Sequence, residues 1–355
     1  MDNTPVLPST VQHSRPVHAP RVRFILIEYL APLVAAFGFT VALMWPLPNY
    51  FTHSLIGVGD VTGSLGTLWT WQQIFLGHEP PYYASRLYYP QGINFFTNSI
   101  GPFSALFAMP FWGLGPAAAY NIAIVIGFAL TGFCMYLLAR EVGCSRPAAW
   151  ISGLLLMMMP LHLLAVYGHV NKVFLGFLPL ALLVTYRAFV PGRARAWALL
   201  VGPMLVLAFL QSPEQLAIGG MGCVLLALYK VVAAPKVQRR EAALRLLLML
   251  ASIAACTAPL VFLVAVVSRA SGVAAAAGVE SAWHQPDLLQ FFIPSVQGIL
   301  PFRAELSAWA TPAVMAPAET IVYLTWTAIF LCIAALWAAR RQAAAWLLIL
   351  LAAMV

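Results

Sequence analysis

From Phe24 onward the chain is a succession of apolar runs separated by short polar turns. Runs of this length read as α-helices that cross a bilayer, because about twenty apolar residues match the hydrocarbon thickness. The pattern predicts spans at Phe24–Trp45, Ala117–Ala139, Ala148–Val166, Val173–Tyr186, Trp197–Leu210, Gln215–Val232, Leu246–Val267 and Thr320–Ala339. A last run, Ala343–Val355, covers only about 20 Å as a helix and is expected to be a span cut short. The predicted fold class is all-α: a polytopic transmembrane helical bundle of about nine spans preceded by a polar tail at 1–23.

Two polar stretches are too long to be turns, 46–102 and 269–318. Loops of that length in a compact protein are usually functional. In the first, Leu65, Leu68, Trp69 and Phe75 share a helical face, which predicts an amphipathic helix over Asp60–Leu76 lying at the membrane interface. Phe103–Leu114 is short and broken by Pro110, and reads as re-entrant rather than crossing.

Composition agrees with the bilayer as solvent: 62% of the 355 residues are hydrophobic and 8% charged, against about a quarter charged in soluble domains. The net charge of +8 would suggest nucleic acid in a soluble chain. Here the cations sit between apolar runs and report orientation instead. With the N-terminus cytoplasmic, fifteen of the nineteen Lys and Arg fall inside, and only Arg86, Lys172, Arg269 and Arg303 face outward. The acids Asp60, Glu79, Glu214, Glu280, Asp287, Glu305 and Glu319 all fall outside. Acids contribute little to topology, so their placement points to chemistry on the outer face. The five scattered cysteines form no CxxC pair and read as small buried hydrophobes.

Several segments, taken in order, carry a family resemblance. Gly59-Asp60 precedes a Trp-bearing helix. Leu87-Tyr88-Tyr89-Pro90-Gln91-Gly92, Ala119-Tyr120-Asn121, Gly132 to Arg140 and Gly168-His169 follow. Then come Leu178-Pro179-Leu180-Ala181-Leu182, Asp287 to Ser295, and Glu319 ahead of Val322-Tyr323-Leu324. In this layout the chain resembles the polytopic glycosyltransferases of the GT-C fold, and especially bacterial membrane proteins similar to dolichyl-phosphate-mannose-dependent transferases. The resemblance implies a multi-pass protein of the bacterial cytoplasmic membrane, with its N-terminus in the cytoplasm. It further implies transfer of a hexosyl or pentosyl group from a polyprenyl-phosphate carrier to a glycan, lipid or protein acceptor on the outer face.

By position the resemblance puts the acid of the first outer loop, a base or a ligand for a divalent cation, at Asp60. Some branches carry a second acid beside it, where this chain has Val61. A carboxylate near the membrane surface suits general-base work, although Asp is also a preferred helix N-cap. His169, Asn171 and Lys172 stand in a short outward turn between spans, either to bind and neutralise a leaving phosphate or simply as the polar residues of a turn that meets water. Glu214 starts a span after Ser212-Pro213, as a helix-dipole partner or as a ligand for a sugar hydroxyl or a cation. Arg86 and Arg303 offer paired donors to phosphate, or balance Glu79 and Glu305; Glu319 is a further acceptor-binding candidate. Glu28, near the cytoplasmic end of the first span, is assigned no role.

Two non-enzymatic readings stand beside the transferase: a lipid or polysaccharide transporter, and an inactive relative with the same fold. A carrier places ionisable groups near the membrane midplane despite a cost of about 2.5–3.5 kcal/mol each. In this sequence they fall at the ends of the predicted spans.

Overall fold

The computed structural model describes residues 24–57, 60–80, 83–86, 89–90, 92–94, 101–166, 168–271, 326–338 and 346. Apolar runs with few polar interruptions become helices, since a helix satisfies its own backbone where water is absent. They are α1 (Leu26–Leu43), α2 (Val61–Phe75), α3 (Phe103–Leu114), α4 (Pro116–Glu141), α5 (Arg146–Met157), α6 (Pro160–Ala165) and α7 (Val170–Val173). After these come α8 (Phe177–Ala188), α9 (Ala196–Gln211), α10 (Pro213–Ala233), α11 (Lys236–Ser271) and α12 (Trp326–Ala338). A two-residue antiparallel pair, β1 (Tyr83–Ala84) with β2 (Ile93–Asn94), lies within the first long loop.

Among the described residues, five helices are long and apolar enough to cross a membrane: α1, α4, the stretch Val170–Ala188, α10 and Lys236–Val267. Two predicted spans are shorter than expected. Ala148–Val166 divides into α5 and α6, because Pro160 lacks the N–H that a continuous helix needs. Trp197–Leu210 corresponds to α9, whose sixteen positions reach about 24 Å. The tail at 1–23, nearly all of the loop at 269–318 and the run Ala343–Val355 lie outside the described residues.

α4 is the axis, packed by α1, α3, α5 and α8. Small residues set its closest approach. A Cβ on Gly153 of α5 would lie 2.6 Å from the Gly132 carbonyl oxygen of α4, so the two backbones touch where neither residue has a side chain. A second core joins α8, α9, α10 and α11 through Ala181, Val184, Val201, Leu205, Cys223, Ala227 and Met249.

The two ends of the bundle differ in charge. At one, buried Glu28 of α1 pairs with Arg140 (3.2 Å) and with Arg146. Arg187 pairs with Glu141 at 2.6 Å. Glu241 takes Arg195 at 2.7 Å and Arg245 at 2.9 Å. Arg245 also donates to the carbonyls of Ala188 and Arg193. These links bring the basic turns of the sequence to a single end and give Glu28 a structural role that its surroundings in sequence do not reveal.

At the opposite end the first long loop folds back onto α4. Asn121, fully buried, accepts from the Ile56 N–H (3.1 Å) and donates to the carbonyls of Phe51 and Ser54, both at 2.8 Å. Asn121→Ala removes three hydrogen bonds to the part-buried loop, at about 0.5–1.5 kcal/mol each. Its thermal midpoint should fall and limited proteolysis within 51–56 should accelerate, which a melting curve and mass mapping of the fragments will report.

Candidate functional site

Asp60 begins α2. It occupies the N-cap position, but its carboxylate accepts no capping hydrogen bond. The side chain is exposed. Capping therefore does not account for it in this geometry. The helix predicted at Asp60–Leu76 is present as Val61–Phe75, and a Ser-bearing side packs inward. Val61, Ser64, Leu68 and Trp71 face inward, Leu65 and Trp69 are half-buried, and Phe75 is 37% exposed. The reason is polar. Ser64 donates to the Gly168 carbonyl, which docks α2 on the turn before α7 and brings that face inward.

The docking also brings Asp60 and His169 together along the backbone. Gly168 has φ +130°, and a Cβ there would lie 2.9 Å from the Asp60 carbonyl carbon. Only glycine permits both that backbone conformation and that approach. His169, half-buried, follows directly. One turn further on, the Lys172 ammonium lies 3.9 Å from the Glu214 carboxylate at the start of α10. Lys172 is 26% exposed and Glu214 51%, so this is a loose pair that solvent reaches. Glu214 does not cap α10, because the Ser212 hydroxyl accepts from the Glu214 N–H at 3.3 Å.

The turn carrying His169 and Lys172 is not at the tip of the bundle. Val173 packs on Gly127, and its carbonyl accepts from Thr131 at 3.3 Å, both near the middle of the 26-residue α4. Beyond that level α4 is covered by α2, α3, the loop at 51–56 and the end of α1. The turn thus stands level with the middle of α4.

Broken backbone in such a place needs partners for its carbonyls, and neighbouring helices supply them. Ser104 donates to the Val170 carbonyl at 3.1 Å. Gln211 donates to the Asn171 carbonyl at 2.9 Å, and Gln215 to that of Phe174 at 2.8 Å. Thr131 accepts from the Leu175 N–H at 2.9 Å. His162, stacked on Phe128 with ring centroids 4.0 Å apart, places Nε2 2.7 Å from the Val173 carbonyl oxygen. All five side chains are buried. They position the turn without facing solvent. Their signal in the sequence was a polar residue inside an apolar run, which costs too much in a membrane to be idle.

Arg86 is held apart from this cluster. It pairs with buried Glu79 at 3.2 Å and lies over Trp69, 5.9 Å from the ring centroid. The Ser85 hydroxyl completes that carboxylate's shell at 2.8 Å. Of the two roles open to Arg86, this geometry provides the balancing of Glu79. Arg303 and Glu319 lie outside the described residues. For a divalent cation, the described residues contain no group of three or more His, Cys, Asp or Glu able to hold one. Asp60 alone does not make a cation site.

No protein-family model, curated protein or solved structure matches the chain. The described residues define its class as a mostly helical bundle, with five helices among them of membrane-crossing length and hydropathy.

Proposed function

We propose that the chain is a membrane-embedded transferase that moves a sugar from a polyprenyl-phosphate carrier to an acceptor at the outer face. The observation that supports this reading best is the docking of the Gly168-His169 turn on Asp60. It sets the backbone of Asp60, whose carboxylate is exposed and uncapped, against Gly168, the residue before His169, and Lys172 follows one helical turn further on. In this proposal Asp60 removes the acceptor hydroxyl proton, and His169 and Lys172 stabilise the phosphate as the sugar–phosphate bond breaks. Glu214 tethers Lys172 until the phosphate competes for it.

A transporter is the second reading, and one observation favours it. The helix break between Met157 and Phe177 and the Lys172–Glu214 pair stand level with the middle of α4, where carriers build substrate sites. Proteoliposomes loaded with a radiolabelled polyprenyl-phosphate sugar separate the two. Transfer releases polyprenyl phosphate and labels an added acceptor. Transport moves the intact labelled lipid across the bilayer, and that outcome, with the bond uncleaved, would overturn the transferase proposal.

A further inference from the structure

The hairpin joining α10 to α11 has a surface that neither the fold nor the proposed chemistry uses. From Lys230 to Arg240 the sequence contains Lys230, Lys236, Arg239 and Arg240 and no acid. Lys236, Arg239 and Arg240 are exposed and have no acid partner among the described residues. Arg239 donates to the Val232 carbonyl at 3.4 Å, which holds its guanidinium over the hairpin. Lys230 lies over the Tyr186 ring at 4.1 Å, which fixes the hairpin at the basic end of the bundle. Between these cations stand Val232 and Val237, 74% and 94% exposed. Neither valine contributes to the core of α8 to α11.

The hairpin thus presents two exposed valines among four cations. The boundary of an anionic leaflet matches both features, because acyl chains cover the valines while headgroup phosphates meet the ammonium and guanidinium groups. Orientation by the Lys and Arg bias would explain the cations but not the valines. We infer that the α10–α11 hairpin is a docking surface for anionic phospholipid headgroups. The inference rests on the membrane placement of the bundle and not on the transferase chemistry.

The test uses the whole chain in neutral detergent, titrated separately with short-chain phosphatidylglycerol, phosphatidylcholine and inorganic phosphate while the melting temperature is followed. Phosphatidylglycerol should raise the midpoint well beyond the shift given by phosphatidylcholine, and inorganic phosphate should leave it unmoved. In the variant Lys236→Gln/Arg239→Gln/Arg240→Gln the apparent affinity for phosphatidylglycerol should drop by about fivefold per charge removed. Raising the salt to ~0.5 M should erase the difference between the two lipids for the wild type, which gives a readout that needs no substitution. Equal shifts with the two lipids, an equal shift with free phosphate, or a phosphatidylglycerol effect undiminished in the triple variant would each overturn the inference. Reconstitution into phosphatidylcholine nanodiscs, run in parallel, tests the membrane placement by itself.

Discussion

Asp60→Asn should lower sugar transfer by about 10²–10⁴-fold, the range that a positioned general base contributes. Asparagine keeps the size and polarity of the side chain but has no carboxylate to accept the acceptor's proton. Folding should be almost untouched, because the Asp60 side chain is exposed and accepts no capping hydrogen bond from α2. Transfer from a labelled polyprenyl-phosphate donor and the thermal midpoint in detergent, measured on the same preparations, separate the two effects. A variant that melts normally and turns over normally would remove Asp60 from the chemistry. A variant that loses both would make it a structural residue.

The second large effect is on the fold. Gly153→Leu should leave no folded protein, and Gly153→Ala should lose about 1–3 kcal/mol. Even the single methyl of alanine would lie 2.6 Å from the Gly132 carbonyl oxygen, and backbone in the centre of two packed helices has little room to withdraw. A leucine would have to separate α4 from α5. That in turn would uncouple Tyr136, Ala139 and Ala149, which pack together nearer the basic end. Gly38→Ala is the contrasting variant. Nothing lies within 4 Å of the added methyl there, so stability should be kept or raised by roughly 0.5–1 kcal/mol. Melting curves of the three variants in one detergent test the series. A Gly153→Ala protein as stable as the wild type would show that the α4–α5 crossing is not set by these glycines.

Much of the helical layout was legible in the sequence, because in a chain this apolar each long hydrophobic run has little choice but helix. The ion pairs were not legible. Glu28 meets Arg140 and Arg146 across more than a hundred residues, and nothing near Glu28 in sequence signals a partner. The inward side of α2 was not legible for a related reason. Counting apolar positions selects Leu65, Leu68, Trp69 and Phe75, whereas the Ser64 bond to Gly168 fixes which side packs on the protein. Asp60 was singled out by the place the resemblance gives it in the first outer loop, but the approach of its backbone to Gly168, next to His169, is visible only in the folded chain. That the Lys172 turn stands level with the middle of α4 was hidden too. It follows from how far α4 extends past the ends of α5 and α8, and spacing along the chain does not contain that relation.

The transferase proposal needs Asp60 and the basic turns to stand on opposite faces of one membrane, and cysteine labelling tests this directly. In a chain whose five native cysteines are replaced by alanine, Asp60→Cys, Glu214→Cys and Arg239→Cys are each exposed to a membrane-impermeant maleimide in intact cells and after permeabilisation. Asp60→Cys and Glu214→Cys should label in intact cells, and Arg239→Cys only once the membrane is opened. Labelling of all three from the same side would contradict both the topology and the outer-face site built on it.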